Sequence, residues 1–268
     1  MTKTVLVLGS APDALNARDF DGSLFDAIVT INNAWQIRED WTHLIHADDF
    51  PDYRKPVAST GQGLISYESY VPANNTFGGI VYAGGTMAFS AAYWALHALK
   101  PDILAFCGCD MVYGQSDGKS HFYGKGEADP LRKDPTLQSL EAKSNRLMLL
   151  ALQENCLCTN LSDLPESRLT FPRGLIDDLG EPASEFMHAQ IEALSADINT
   201  HSKARALNLE QEVGCVVPSG DYWLHMDKVL PEKLAEIDAA WLESYNTWIE
   251  QGDTAKRLGL TSKQRDFA

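Results

Sequence analysis

The sequence has no apolar run long enough to cross a bilayer and no surplus of positive charge. The longest apolar stretch, residues 87–99, contains Ser90 and His97 and is shorter than the ~20 residues that a transmembrane helix needs. The 268 residues carry 22 Lys and Arg against 37 Asp and Glu, a formal net charge of −15. Because affinity for nucleic acid or for an anionic membrane surface comes from positive charge, this balance argues against both partners. Binding of a small anionic ligand remains possible, since helix N-termini and a few local cations can hold one.

The sequence also lacks the cysteine pattern of a disulfide framework or a common zinc site. Its five Cys include two C-x-C pairs, Cys107 with Cys109 and Cys156 with Cys158. Residues two apart on a strand share a face, so each pair could approach one metal, but both pairs lie in apolar runs. We interpret them as core thiols, which favours a cytoplasmic location. The apolar N-terminal run has no signal-peptide cleavage site, so we expect it to be a strand and not a signal peptide.

The hydrophobic pattern predicts an α/β fold. Continuous apolar runs, typical of strands buried on both faces of a parallel sheet, occur at residues 4–8, 27–31, 42–46, 103–107 and 156–159. Helices are predicted at 86–99 and 136–155, and long loops at 51–85 and 111–135. This alternation is typical of a doubly wound, mostly parallel, Rossmann-like sheet.

The last third of the chain has a helical pattern. One apolar stripe contains Met187, Ile191, Leu194 and Ile198, and a second contains Leu234, Ile237, Trp241, Tyr245 and Trp248. We therefore expect a nucleotide-binding α/β domain at 1–173 and a helical C-terminal cap or subdomain at 174–268.

Polar clusters follow four of the predicted strands, where ligands bind in open parallel sheets. They are Gly9-Ser10-Ala11-Pro12-Asp13, then Asn32-Asn33, then His46 with Asp48 and Asp49, and finally Gly108-Cys109-Asp110. The first can aim backbone N–H groups at a phosphate, although it is neither a G-x-G-x-x-G nor a Walker A sequence. Taken singly, each cluster is equally well explained as a turn or a solvated strand end.

The motifs in chain order resemble a known family. GSAPD, INNAW, GGTMAFSAAYWAL, FCGCDMVY and SHFYGKG look like the corresponding segments of the bacterial sialyltransferases of glycosyltransferase family 42, over about residues 4–165. The resemblance implies a CMP-linked sugar donor, inverting transfer to a hydroxyl of a glycan or small-molecule acceptor, and no required metal or other cofactor. It also implies the nucleotide-binding residues Gly9, Ser10, Ala11, Pro12, Asn32, Asn33, Gly84, Gly85, Thr86 and Asp110.

The chain departs from that family at the catalytic base. The family has Asn where Ser10 stands, and its catalytic His aligns near residues 134–136, which contain no His. His121, in the loop that follows the fourth strand, is the substitute candidate, because its ordinary pKa lies near neutral pH. Tyr113, one position beyond the family's phosphate-contacting Tyr, and Tyr123 are the candidate donors to the leaving phosphate. This loop is also locally basic and is expected to order over the ligand at residues 114–134.

Two other functions stay open. The same loop layout resembles the MptE-like pterin pyrophosphokinases, which would make the protein an ATP- and Mg²⁺-dependent diphosphate transferase and would use Asp48, Asp49 and Asp110. The third interpretation is a non-catalytic nucleotide-binding module whose C-terminal helices bind a partner, which the missing family His favours. The sequence leaves open whether the chain forms a homo-oligomer.

Overall fold

A single sheet organises the protein. The structure, a computed structural model, describes residues 2–112, 120–124, 139–181, 183–224 and 230–245. Six strands pair in the order β4-β3-β2-β1-β5-β6, and every pair is parallel. They are β1 (Thr4–Leu8), β2 (Ala27–Ile31), β3 (His43–Ile45), β4 (Gly63–Ile65), β5 (Ile103–Cys107) and β6 (Leu157–Asn160). The predicted doubly wound, Rossmann-like α/β fold is confirmed.

The strand order reverses between β1 and β5. The chain runs outward from β1 through β2 and β3 to β4, and then crosses back to place β5 and β6 on the other side of β1. The register pairs Leu8, the last residue of β1, with Thr30 of β2 and with Cys107 of β5. All residues of these three strands are buried, which fits their continuous apolar runs. The carboxyl ends of β1, β2 and β5 therefore meet at the topological switch point, where such folds bind ligands.

Seven α-helices accompany the sheet in the described ranges. They are α1 (Tyr67–Thr76), α2 (Ile80–Ala83), α3 (Met87–Leu99), α4 (Leu140–Gln153), α5 (Ala183–Ala196), α6 (Thr200–Val213) and α7 (Pro231–Ser244). Side-chain caps fix three of these starts: Thr86 accepts from Phe89 N at α3, Ser139 from Ala142 N at α4, and Asn199 from Ser202 N at α6. Asn155, with φ +56°, ends the α4 region just before β6, as predicted.

The predicted loop at residues 51–85 is wrong. This segment contains β4, α1 and α2. Four of its glycines do lie at turns with positive φ, namely Gly61, Gly78, Gly79 and Gly85. The elements between these turns are too short, at three, ten and four residues, to establish a period, and α1 contains Pro72.

The C-terminal helices pack on the rest of the protein. Met187 and Leu194 of α5 are buried as predicted, and Leu234, Ile237 and Trp241 of α7 are at most 1% exposed. These side chains belong to the same hydrophobic cluster as the strands. The domain boundary at residue 173 stays a prediction, and Trp248 lies outside the described residues. Within the described ranges, no helix combines the length and the apolar character needed to cross a membrane.

Candidate functional site

The loops after β1 and β5 lie backbone to backbone. Gly9 N donates to Cys107 O at 2.8 Å, and Ala11 N donates to Gly108 O at 3.0 Å. A Cβ on Gly9 would lie 2.2 Å from Gly108 O, and Gly108 itself has φ +69°. Glycine is therefore needed at position 9 for the contact between the two loops, whereas the family resemblance implies a contact with the nucleotide there.

Because of these hydrogen bonds, Ser10 is the residue of the predicted phosphate-binding loop that can still donate to a phosphate. The amides of Gly9 and Ala11 are already bonded to the end of β5, and Pro12 has no N–H. Ser10 is half-buried, and its amide and hydroxyl have no partner among the described residues. Of the four predicted contacts in this loop, Ser10 is the one that retains donors for a ligand.

The two Asn residues after β2 have different environments. Asn32 has φ +49°, and its Oδ1 accepts from Ala47 N at 3.1 Å, so it shapes the turn between β2 and the end of β3. Asn33 is 6% exposed, and its side-chain amide has no hydrogen-bond partner in the described part of the chain. The polar atoms of this amide reach the surface and are open to a ligand, so Asn33 is the better candidate for contact with one. The family resemblance implies that both residues bind the nucleotide, with Asn32 at the position of the family's donor-binding Asn.

The turn formed by Gly84, Gly85 and Thr86 opens α3 at the same edge of the sheet. α3 is about as long as a strand and leads directly to the start of β5, so its own start lies near the carboxyl ends of the strands. Thr86 is 7% exposed, and its hydroxyl oxygen caps the helix by accepting from Phe89 N, which leaves its O–H able to donate. This O–H and the first backbone N–H groups of α3 are the donors that this turn can offer.

His121 is buried against the β1 loop. Phe122 N donates to Ser10 O at 3.0 Å, and the Phe122 side chain packs against the core. His121 is 8% exposed, with its Nδ1 2.8 Å from Ser120 Oγ. Residues 120–124 are therefore tied to the core through Phe122, and His121 is buried among the described residues. Burial lowers the pKa of His121, so its imidazole is neutral at neutral pH.

Of the other candidate side chains in this loop, Tyr123 lies within the described residues, and Tyr113 does not. Tyr123 is 43% exposed, and its ring stacks on that of His121 with a centroid separation of 5.0 Å. Tyr113 and the basic residues of the loop lie outside the described residues, as does the ordering expected across residues 114–119 and 125–134. Their predicted contacts with a donor phosphate stay predictions.

Two carboxylates at the switch point each have a hydrogen-bond partner on one of their two oxygens among the described residues. Asp110 is fully buried, and its Oδ1 accepts from Asn160 Nδ2 at 3.1 Å. Asp13 Oδ2 accepts from Ser162 Oγ at 2.6 Å. The second oxygens, Asp110 Oδ2 and Asp13 Oδ1, are buried and have no partner within the described ranges. Burial, and then the nearby charge of Asp110, raise the pKa of Asp13, a residue of the Gly9–Asp13 motif that is not among the predicted nucleotide-binding residues.

The acids predicted after β3 do not form a comparable pair. Asp48 and Asp49 are exposed, and His46 is buried with its Nδ1 2.9 Å from Ala47 O. The described residues contain no group of three or more His, Cys, Asp or Glu suited to a metal ion. All five cysteines are free and buried, so their interpretation as core thiols is confirmed.

An open depression of about 750 Å³ lies elsewhere, between the β2–β3 connection and the segment before β4. Trp35 lines it, and some of the polar side chains of the depression are bonded within the protein. Gln62 Nε2 donates to Glu39 O, and Arg38 pairs with Asp40 at 2.5 Å.

The structure thus brings Ser10, Asn33, Asp110 and His121 to the ends of β1, β2 and β5, with the start of α3 at the same edge. Gly9, Ala11, Asn32 and Thr86 shape this site through internal hydrogen bonds. Comparison of the chain with protein-family models, with curated proteins and with solved structures finds no match to any of them.

Proposed function

We propose that the protein is a nucleotide-sugar-dependent glycosyltransferase of sialyltransferase-like type. It takes a CMP-linked donor and transfers the sugar, with inversion, to a hydroxyl of a glycan or small-molecule acceptor. The observation that carries the proposal is the hydrogen bond from Phe122 N to Ser10 O. It holds a buried, neutral His121 next to the loop that, in the resemblance, contacts the donor phosphate.

The chemistry follows from a neutral imidazole beside a phosphate leaving group. His121 accepts the proton of the acceptor hydroxyl as the acceptor oxygen bonds to the anomeric carbon. The bond from that carbon to the phosphate oxygen breaks on the opposite face, and CMP leaves with the electron pair. The hydroxyl groups of Tyr123 and Tyr113 donate hydrogen bonds to the phosphate as its charge develops. A phosphate monoester is a good leaving anion, so this step requires no metal.

The nucleotide is recognised by amides and hydroxyls in this proposal. Ser10 donates to the phosphate from its backbone and side chain, and the start of α3 adds backbone donors. The amide of Asn33 contacts the base or the ribose. What supports this role is that its amide reaches the surface of a mostly buried residue and has no hydrogen-bond partner among the described residues, which leaves it open to a polar ligand.

We expect Asn33→Ala to weaken CMP binding by about 1–3 kcal/mol while leaving the free energy of unfolding close to that of the wild type. Asn32→Ala is the matched control: it removes a turn hydrogen bond and strains a residue at positive φ, so it lowers stability. Titration calorimetry with CMP and urea unfolding measure the two effects. An Asn33→Ala protein that binds CMP as tightly as the wild type would remove Asn33 from the site.

ATP- and Mg²⁺-dependent diphosphate transfer is the second candidate. It is favoured by Asp13 Oδ1 and Asp110 Oδ2, two buried carboxylate oxygens without a partner in the described part. Mg²⁺ commonly binds to one or two carboxylates together with substrate phosphates, so these residues fit the ion. Asp163 also interacts electrostatically with Asp13, so the ion would neutralise phosphate charge beside three acids, Asp13, Asp110 and Asp163. This candidate requires Mg²⁺ for nucleotide binding, and glycosyl transfer does not.

A further inference from the structure

The turn at residues 84–86 is an extension of α2. Gly84 N donates to Ile80 O at 3.0 Å, which continues the helical hydrogen bonding of Ile80–Ala83 into the turn. All four residues of α2 are at most 5% exposed. Any element that holds α2 therefore also fixes the start of α3, where the nucleotide site begins.

The contacts that hold α2 come from distant parts of the chain. Tyr82 Oη donates to Asp238 Oδ1 of α7 at 2.5 Å, and Lys143 Nζ of α4 donates to Tyr82 O at 2.7 Å. The ammonium group of Lys143 also lies 3.9 Å from the centroid of the Tyr82 ring. Val81 N donates to Cys215 O at 3.1 Å in the segment after α6.

The backbone around α2 leaves no space for adjustment. Gly79, at φ +126°, directly precedes α2, and a Cβ on it would lie 2.1 Å from the Cys215 carbonyl. Asp238 is 7% exposed, so its hydrogen bond with Tyr82 is shielded from water. Breaking this bond would leave a buried carboxylate or hydroxyl without a partner, which makes the contact costly to lose.

We propose that α7 positions the nucleotide site through the Tyr82–Asp238 hydrogen bond, which holds α2 and with it the turn at residues 84–86. Tyr82 and Asp238 are then positioning residues: they touch no substrate and act through the turn. This inference rests on the proposed function, which assigns the turn to the donor. It gives the C-terminal helices a role in regulating ligand affinity, in addition to covering the core.

Tyr82→Phe tests the inference because it removes only the hydroxyl. We expect the backbone amides of residues 84–88 to exchange hydrogen about 2- to 30-fold faster than in the wild type, and CMP affinity to fall by a similar factor. Ser244→Ala is the control: its hydroxyl is also buried on α7, but it bonds to Trp241 O within that helix. This variant should leave exchange at residues 84–88 and CMP affinity unchanged.

A conservative change at Asp238 provides the rescue. Asp238→Asn keeps an oxygen that accepts from Tyr82, whereas Asp238→Ala removes it, so only the Ala variant should loosen residues 84–88 and weaken CMP binding. Unchanged exchange at 84–88 in both Tyr82→Phe and Asp238→Ala overturns the positioning role. Faster exchange there, in a protein whose wild type does not bind CMP, upholds the positioning role and contradicts the proposed function instead.

Discussion

Arg146→Met is expected to lower the free energy of unfolding by about 3–5 kcal/mol, because it leaves a buried carboxylate without its partner charge. The side chains of Arg146 and Glu210 are 0% and 3% exposed, and two N–O pairs join them at 2.7 Å each. Arg146 also donates to Tyr93 Oη and to Phe77 O, so its loss opens several hydrogen bonds at once. This pair connects α4 to α6 in the interior.

An exposed pair provides the control for this prediction. Arg205 and Glu243 are 49% and 57% exposed and lie 3.4 Å apart, so Arg205→Ala should cost less than about 1 kcal/mol. Urea unfolding of both variants, followed by circular dichroism, measures the difference. Equal small losses in the two variants would show that α6 does not depend on the buried pair.

His121→Ala is expected to lower the turnover number about 10²- to 10⁴-fold with little change in donor affinity, since a general base acts mainly in the transition state. His97→Ala, at an exposed position of α3, is the control and should keep wild-type turnover. In the wild type, turnover should fall as the pH drops through the pKa of His121, because the protonated imidazole cannot accept a proton. Burial lowers that pKa, so the half-maximal point should lie below the usual 6.5.

The measurement is the steady-state rate at saturating CMP-linked donor across the pH range 5 to 8. Loss of the acidic limb in His121→Ala, together with the reduced rate, would identify the base. Unchanged turnover in this variant would make His121 a bystander, and Asp110 would be the next candidate at the same strand ends.

The three central strands β1, β2 and β5 were predictable because each is a continuous apolar run of five residues, a pattern typical of parallel strands buried on both faces. β4 and α2, at three and four residues, are too short for periodicity to appear in the sequence. Their positions depend on distant contacts, such as Val81 N with Cys215 O.

The edge of the sheet that carries the candidate site was also predictable, because polar residues that follow a parallel strand lie at its carboxyl end. The atoms that remain available to a ligand could not be predicted from the sequence. The Gly9 amide donates to Cys107 O, nearly a hundred residues away in the chain, and the Asp13 carboxylate accepts from the Ser162 hydroxyl. Lys143 and Arg146 resemble solvent-facing residues of a helix in the sequence, yet both are buried.

Titration calorimetry with two nucleotides tests the central proposal most directly. One titration uses CMP in the presence of EDTA, and the other uses ATP with Mg²⁺. The proposed glycosyltransferase binds CMP without metal and binds ATP with Mg²⁺ more weakly, and CMP raises its melting temperature by mass action. Tight binding of ATP with Mg²⁺, together with no response to CMP, would contradict the proposal and favour diphosphate transfer at Asp13 and Asp110.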